Sequence, residues 1–139
     1  MGARKRLKAE ERKEAKKNLY VAQLRNCPTP PRKMRLVAGL VRGMDVSMAL
    51  NVLKYSPQVG AGYLYKLLLS GIANWQAKNE GVRIEESDLY IKAITVDGAR
   101  MLKRVRPAPQ GRAHRIRKRS NHVTLILDSR KVEIEEEVQ

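Results

Sequence analysis

The chain has no phenylalanine and one tryptophan among its 139 residues. Any core must therefore be aliphatic. The shortage also counts against a nucleic-acid platform that stacks bases on a sheet, because that design needs several exposed rings. Cysteine is equally scarce. Cys27 stands alone, so no internal disulfide can form, and with only His114 and His122 besides there is no metal-ligand set of recognisable spacing. Nothing local would activate Cys27 as a nucleophile, which leaves it a small buried hydrophobe or a bystander. Long apolar runs are missing too. The best candidate, "YLYKLLLSGIANW", is interrupted by Lys66 and falls short of the ~20 residues of a spanning helix. The opening "MGARKRLKAEERKEAKK" has no apolar centre of a signal peptide, and Arg6 breaks the myristoylation pattern. A cytoplasmic location is expected, with no membrane partner, no metal and no other cofactor.

The remaining shortage is of acid, and it is local. "MLKRVRPAPQGRAHRIRKRSNH", residues 101–122, holds eight Lys or Arg and two His without a single Asp or Glu. The whole chain carries a net charge of +15, far more than solubility requires, and such a field points to a polyanionic partner. The length fits one domain with a real core.

Around the basic segment the sequence reads as an α+β domain. Residues 1–17 form a basic tail, mobile or weakly helical, that could order on a polyanion. "NLYVAQLRNC" (18–27) has strand character and runs into "PTPP". Thr29 is placed to cap a helix over about 31–42, with Met34, Val37, Leu40 and Val41 inward and Gly43 at its end. Asp45 can cap a helix over 46–55 with the stripe Val46, Ala49, Leu50 and Leu53. Ser56 and Pro57 repeat the device for a helix reaching Asn79, stopped by Gly81, with Leu64, Leu67, Leu68, Gly71, Ile72 and Trp75 inward. Gly60, Gly62 and Gly71 are read as sites of close helix packing. "DLYIKAITVDG" (88–98) and "HVTLILD" (122–128) are strands, and 130–139 is an acidic disordered tail. The expected fold is three helices on a small antiparallel three-stranded sheet, a single domain over 18–129 with a long protruding β-hairpin at 97–122.

That hairpin cannot rest on its own domain. Arg112, His114, Ile116 and Lys118 alternate with Ala113, Arg115, Arg117 and Arg119, so both faces of the strand are cationic, whereas a strand on a core keeps one apolar face. Half of residues 97–122 at ~3.3 Å each spans on the order of 40 Å. With nine Lys or Arg from Arg100 to Arg119, seven of them Arg, the arm suits surrounding phosphates, as inside folded RNA. A second cluster opens the helix at 31–42. Arg32, Lys33 and Arg35 sit where the helix dipole favours acids, and cations beside open N–H groups suit a phosphate.

The order of these motifs resembles the bacterial large ribosomal subunit protein 22 family. The matching pieces are "PRKMRLVAGLVRG" (31–43), "ALNVLKYSP" (49–57), "LLLSGIANWQAKNEG" (67–81) and "LYIKAITVDGARMLKRVRPAPQGRAHRIRKRSNHVTLIL" (89–127), and together they cover about 20–128. The resemblance implies a small α+β body on the outside of the large subunit, a monomer within the ribosome, with a hairpin running through 23S-type rRNA and supporting assembly. Its tip would help line the nascent-peptide exit tunnel, so the nascent peptide and neighbouring large-subunit proteins become partners. In this chain the tip corresponds to Leu102, Lys103, Arg104, Val105, Arg106, Pro107, Ala108, Pro109, Gln110 and Gly111. The implied rRNA contacts are Arg100, Lys103, Arg104, Arg106, Arg112, His114, Arg115, Arg117, Lys118 and Arg119 on the arm, with His122 at its base. Lys33, Arg35 and Arg42 match basic positions of the first helix, beside Arg32, and Asn74 and Asn79 match polar positions of the third. Two departures stand out. One tip arginine is absent from Pro107-Ala108-Pro109-Gln110-Gly111-Arg112-Ala113, and Gly71 with Trp75 replace two small residues, which a packing exchange would explain.

Two other functions compete. A DNA-architectural protein could use the same basic β-arm in a minor groove, with Pro107 or Pro109 as a wedge, but such proteins usually pair two arms and no strong dimer surface is evident. An enzyme on nucleic acid would have only Asp97, His114 and His122 near the arm, without a second acid for a metal or a nucleophile. The chain is not expected to be an enzyme.

Overall fold

The computed structural model describes residues 3–17, 19–79 and 87–130. The expected stop at Gly81 and the acidic segment 131–139 lie outside them. The organising element is β5 (Asn121–Ser129), in which Asn121, Val123, Leu125, Leu127 and Ser129 are buried while the residues between them are half-buried. Strict alternation of this kind turns one face of a strand to the core. β5 is the centre of a three-stranded antiparallel sheet, flanked by β1 (Tyr20–Cys27) and β2 (Leu89–Gly98). Along β2 the register slips by one residue between Ile91 and Ala93. That bulge is what lets Leu89, Ile91, Ile94 and Val96 all reach the buried face, since an unbroken strand would turn the second pair outward. β1 carries its own irregularity between Leu24 and Cys27, where Asn26 adopts a φ of 54°.

Three helices cover the sheet's inner face: α2 (Pro31–Val41), α3 (Val46–Tyr55) and α4 (Val59–Lys78). α4 lies against β1 and β5, α2 against β2, and α3 against α4. The α4 stripe from Leu64 to Trp75 is buried as the periodicity demands. On α2 the buried set is Met34, Val37, Ala38 and Val41, whereas Leu40 is 47% exposed. An i, i+3, i+4, i+7 stripe excludes Leu40, so its expected core place belongs to Ala38. The close approaches fall at two of the three glycines. A Cβ on Gly60 would lie 3.3 Å from the Met34 sulfur, and one on Gly71 would lie 3.2 Å from Cδ1 of Leu127, while nothing comes within 4 Å of Gly62. Trp75, one turn beyond Gly71, is buried and meets the Tyr20 ring edge-on at 6.2 Å. Gly71 and Trp75 thus share the face that α4 presses on the sheet.

The expected helix caps are not made. The N-cap positions are Pro30, Asp45 and Gln58, none with a side-chain bond to the helix. Each candidate is occupied elsewhere. Asn121 donates from Nδ2 to both the carbonyl (2.6 Å) and hydroxyl (2.8 Å) oxygens of Thr29. Arg130 draws the Asp45 carboxylate to 3.2 Å. Ser56 closes α3 in an extended conformation, as the residue before a proline tends to, and α4 starts only at Val59.

Two features correct the expected architecture. A fourth helix, α1 (Ala3–Lys17), precedes the sheet where a mobile or weakly helical tail was expected, and it buries no residue. The arm is also a separate sheet. Among the described residues, β3 (Leu102–Pro107) and β4 (Ala113–Lys118) pair only with each other. Asp97 and Gly98 still pair with His122 and Asn121 in the body sheet, so the arm departs at Ala99 and Ser120, joined by a 2.9 Å bond, rather than at 97 and 122.

Candidate nucleic-acid interface

In the arm, the register puts Leu102, Arg104 and Arg106 opposite Lys118, Ile116 and His114, and Lys103, Val105 and Pro107 opposite Arg117, Arg115 and Ala113. Directly opposite residues share a face, so one face carries Arg104, Arg106, His114 and Lys118 and the other Lys103, Arg115 and Arg117. Every residue of β3 and β4 is exposed except the half-buried Ile116. Lys103 directly opposes Arg117, an arrangement that destabilises a sheet on its own. Among the described residues, no carboxylate pairs with any of the nine cations from Arg100 to Arg119. An isolated two-stranded ribbon is marginal in water even without that repulsion.

At its end the turn closes through the Arg112 N–H to the Pro109 carbonyl, 3.4 Å, with the Ala108 N–H on the Arg112 carbonyl at 2.9 Å. Gln110 and Gly111 both have positive φ, 62° and 65°. That is the signature of the turn that suits the right-handed twist of paired strands. Glycine accepts it freely, while Gln110 holds a conformation unusual for a residue with a side chain. The tip residues from Leu102 to Gly111 therefore form one continuous projecting end, with only Ala108 half-buried.

The other predicted contacts fall into two groups. Arg32 and Lys33 are exposed at the uncapped start of α2. Arg35, Arg42, Asn74, Asn79 and His122 instead spend donors or acceptors inside the body. Arg35 sends Nε (3.2 Å) and Nη2 (3.0 Å) to the Val96 carbonyl, and Arg42 sends Nη2 to that of Ile94 at 3.2 Å. Gly43 and Met44 exchange backbone bonds with Ile91 further along the same edge. Together they close the free side of β2. On the opposite edge Asn74 donates to the Val21 carbonyl of β1 at 3.2 Å. Asn79 donates to the Trp75 carbonyl and accepts from the Tyr20 hydroxyl at 3.3 Å. The imidazole Nδ1 of His122 accepts the Asn26 N–H at 3.0 Å, pinning the β1 bulge. A guanidinium has five donors, so Arg35 and Arg42 retain several after these bonds.

Gln23 and Arg25 are not among the contacts expected from the sequence. They lie with Asn26, His122 and Thr124 around a shallow cleft of ≈510 Å³ on the sheet's outer face. The Arg25 guanidinium sits 3.2 Å from the Gln23 amide oxygen. Their only sequence signal is a polar position every second residue of β1. No group of three potential metal ligands occurs among the described residues, and no described helix is long and apolar enough to cross a membrane.

Comparison with known proteins converges on one family. The sequence profile described as Ribosomal protein L22p/L17e matches residues 22–128. The large ribosomal subunit protein uL22 of Christiangramia forsetii is 65% identical over 127 residues, covering 91% of this chain and 94% of that protein. That of Flavobacterium psychrophilum is 64% identical over 129 residues, covering 93% and 94%. That of Bacteroides fragilis strain YCH46 is 59% identical over 130 residues, covering 94% and 95%.

Proposed function

The chain belongs to the Ribosomal protein L22p/L17e family, and from that premise we propose that it is a structural, non-catalytic protein of the cytoplasmic large ribosomal subunit whose arm runs through 23S-type rRNA. The observation that carries the reading is an arm cationic on both faces, with no carboxylate partner among the described residues. A duplex groove would neutralise one or two sides of such a ribbon, whereas folded RNA encloses it. The tip from Leu102 to Gly111 then reaches the wall of the exit tunnel, beside the nascent peptide and neighbouring subunit proteins. The body holds one end in place. Arg32 and Lys33 meet phosphate at the open start of α2, while Arg35, Arg42, Asn74, Asn79 and His122 combine structural bonds with their remaining donors toward rRNA. One domain spans 18–129, and the protein acts as a monomer within the ribosome.

Sedimentation of cell extract through sucrose gradients tests this, at low salt and again at about 1 M. Multi-sided burial predicts that the chain stays with the large subunit at both concentrations, because enclosed charges are screened far less than exposed ones. Release to the top of both gradients, or travel with DNA, contradicts it and favours the DNA-architectural reading.

A further inference from the structure

The amino-terminal helix carries a second charge pattern, separate from the arm. α1 has 15 residues and buries none of them. Its last turn is tied to the body, where the Lys78 ammonium donates to the carbonyls of Lys17 (2.9 Å) and Leu19 (2.8 Å). A helix of that length with nothing buried is marginal in water. Its composition, eight Lys or Arg against three Glu over residues 3–17, fits an ordinary solvated helix. The placement does not. At about 100° per residue, Glu10, Glu11 and Glu14 fall in one arc about 100° wide that also holds Leu7 and Ala3. All eight basic residues occupy the remaining arc, about 220° wide, centred on Lys5, Arg12 and Lys16. A helix supported by its own ion pairs interleaves the signs. Here the only pair within α1 among the described residues is Arg6–Glu10 at 3.3 Å, on the border between the arcs.

We propose that α1 is a second RNA-binding element, with its basic arc laid along a phosphate backbone and its acidic edge turned away. Charge complementarity selects the partner class. A membrane surface would need an apolar face, and the sole large apolar side chain, Leu7, lies in the acidic arc. α1 also precedes the residues that the family profile matches, so the site is additional to the shared body and arm. The inference rests on the rRNA-binding reading above.

The test is a salt titration of binding to large-subunit rRNA transcribed in vitro. It uses the full chain, a Lys5→Gln/Arg12→Gln/Lys16→Gln variant and a Glu10→Gln/Glu11→Gln/Glu14→Gln variant. Gln keeps helix propensity close to that of the residues it replaces. Removing three phosphate-binding cations lowers the log–log salt slope by about 2–3, while the Glu variant keeps the slope of the full chain. An unchanged slope in the Lys/Arg variant overturns the inference alone. So do equal and opposite affinity shifts in the two variants, which would reveal only a net-charge effect, or tighter retention by phosphatidylserine vesicles than by the transcript. Failure of the full chain to bind the transcript overturns the rRNA-binding reading and this inference with it.

Discussion

β4 and β5 are consecutive strands separated by two residues, Arg119 and Ser120, yet they obey opposite rules. β5 sits between two partners and buries Val123, Leu125 and Leu127. β4 has one partner, buries nothing, and puts cations on both faces. The body takes up its own edge carbonyls, that of Val21 in β1 through Asn74 and those of Val96 and Ile94 in β2 through Arg35 and Arg42. The arm leaves its charges open. Strand propensity alone does not tell the two apart; which surface neutralises or covers each face does.

The largest effect that separates the two regions comes from removing the arm. Replacing residues 101–119 with a short turn deletes eight Lys or Arg. The rRNA salt slope should fall by about 6–7, while the thermal midpoint of the free chain stays nearly unchanged. A collapse of the body in that variant would show that the arm contributes to its stability after all. In the other region, Leu125→Ala should cost about 2–5 kcal/mol in urea unfolding, because it opens a cavity under α4. Sharper still is a pair on α2. Arg35→Met removes both bonds to Val96 and should destabilise by about 1 kcal/mol. Arg32→Met should leave stability within about 0.5 kcal/mol and lower the salt slope by about 0.7–0.9. The smallest change is Val105→Ser. This aliphatic strand residue is 68% exposed, and its loss should move stability by no more than about 0.5 kcal/mol.

The sequence made the body legible where periodicity was strong. The α3 range and the α4 stripe from Leu64 to Trp75 follow the expected spacing, because a 3.6-residue period against a sheet leaves little choice. The projecting arm was legible for the opposite reason, since no alternation of its residues yields an apolar face. What stayed hidden depends on partners distant in sequence. Thr29 looked like a cap because its neighbours fit one, but Asn121, far along the chain, takes its hydroxyl. The bonds of Arg35 and Arg42 to Val96 and Ile94 stayed hidden because nothing local reveals that the edge of β2 lies beside them. The bulge in β2 is likewise set by its register on β5. α1 was ambiguous because residues 3–17 lack an apolar stripe, the signal on which helix reading chiefly depends.

On the proposed function, the body is ordered by its own contacts and the arm by rRNA. Amide hydrogen exchange tests it most directly, comparing the free chain with the chain assembled in the large subunit. Slow exchange is expected along β1, β2 and β5 in both states, with β3 and β4 exchanging fast when free and becoming strongly protected in the subunit. Equal protection of β3–β4 in the two states, whether high or low, would contradict it.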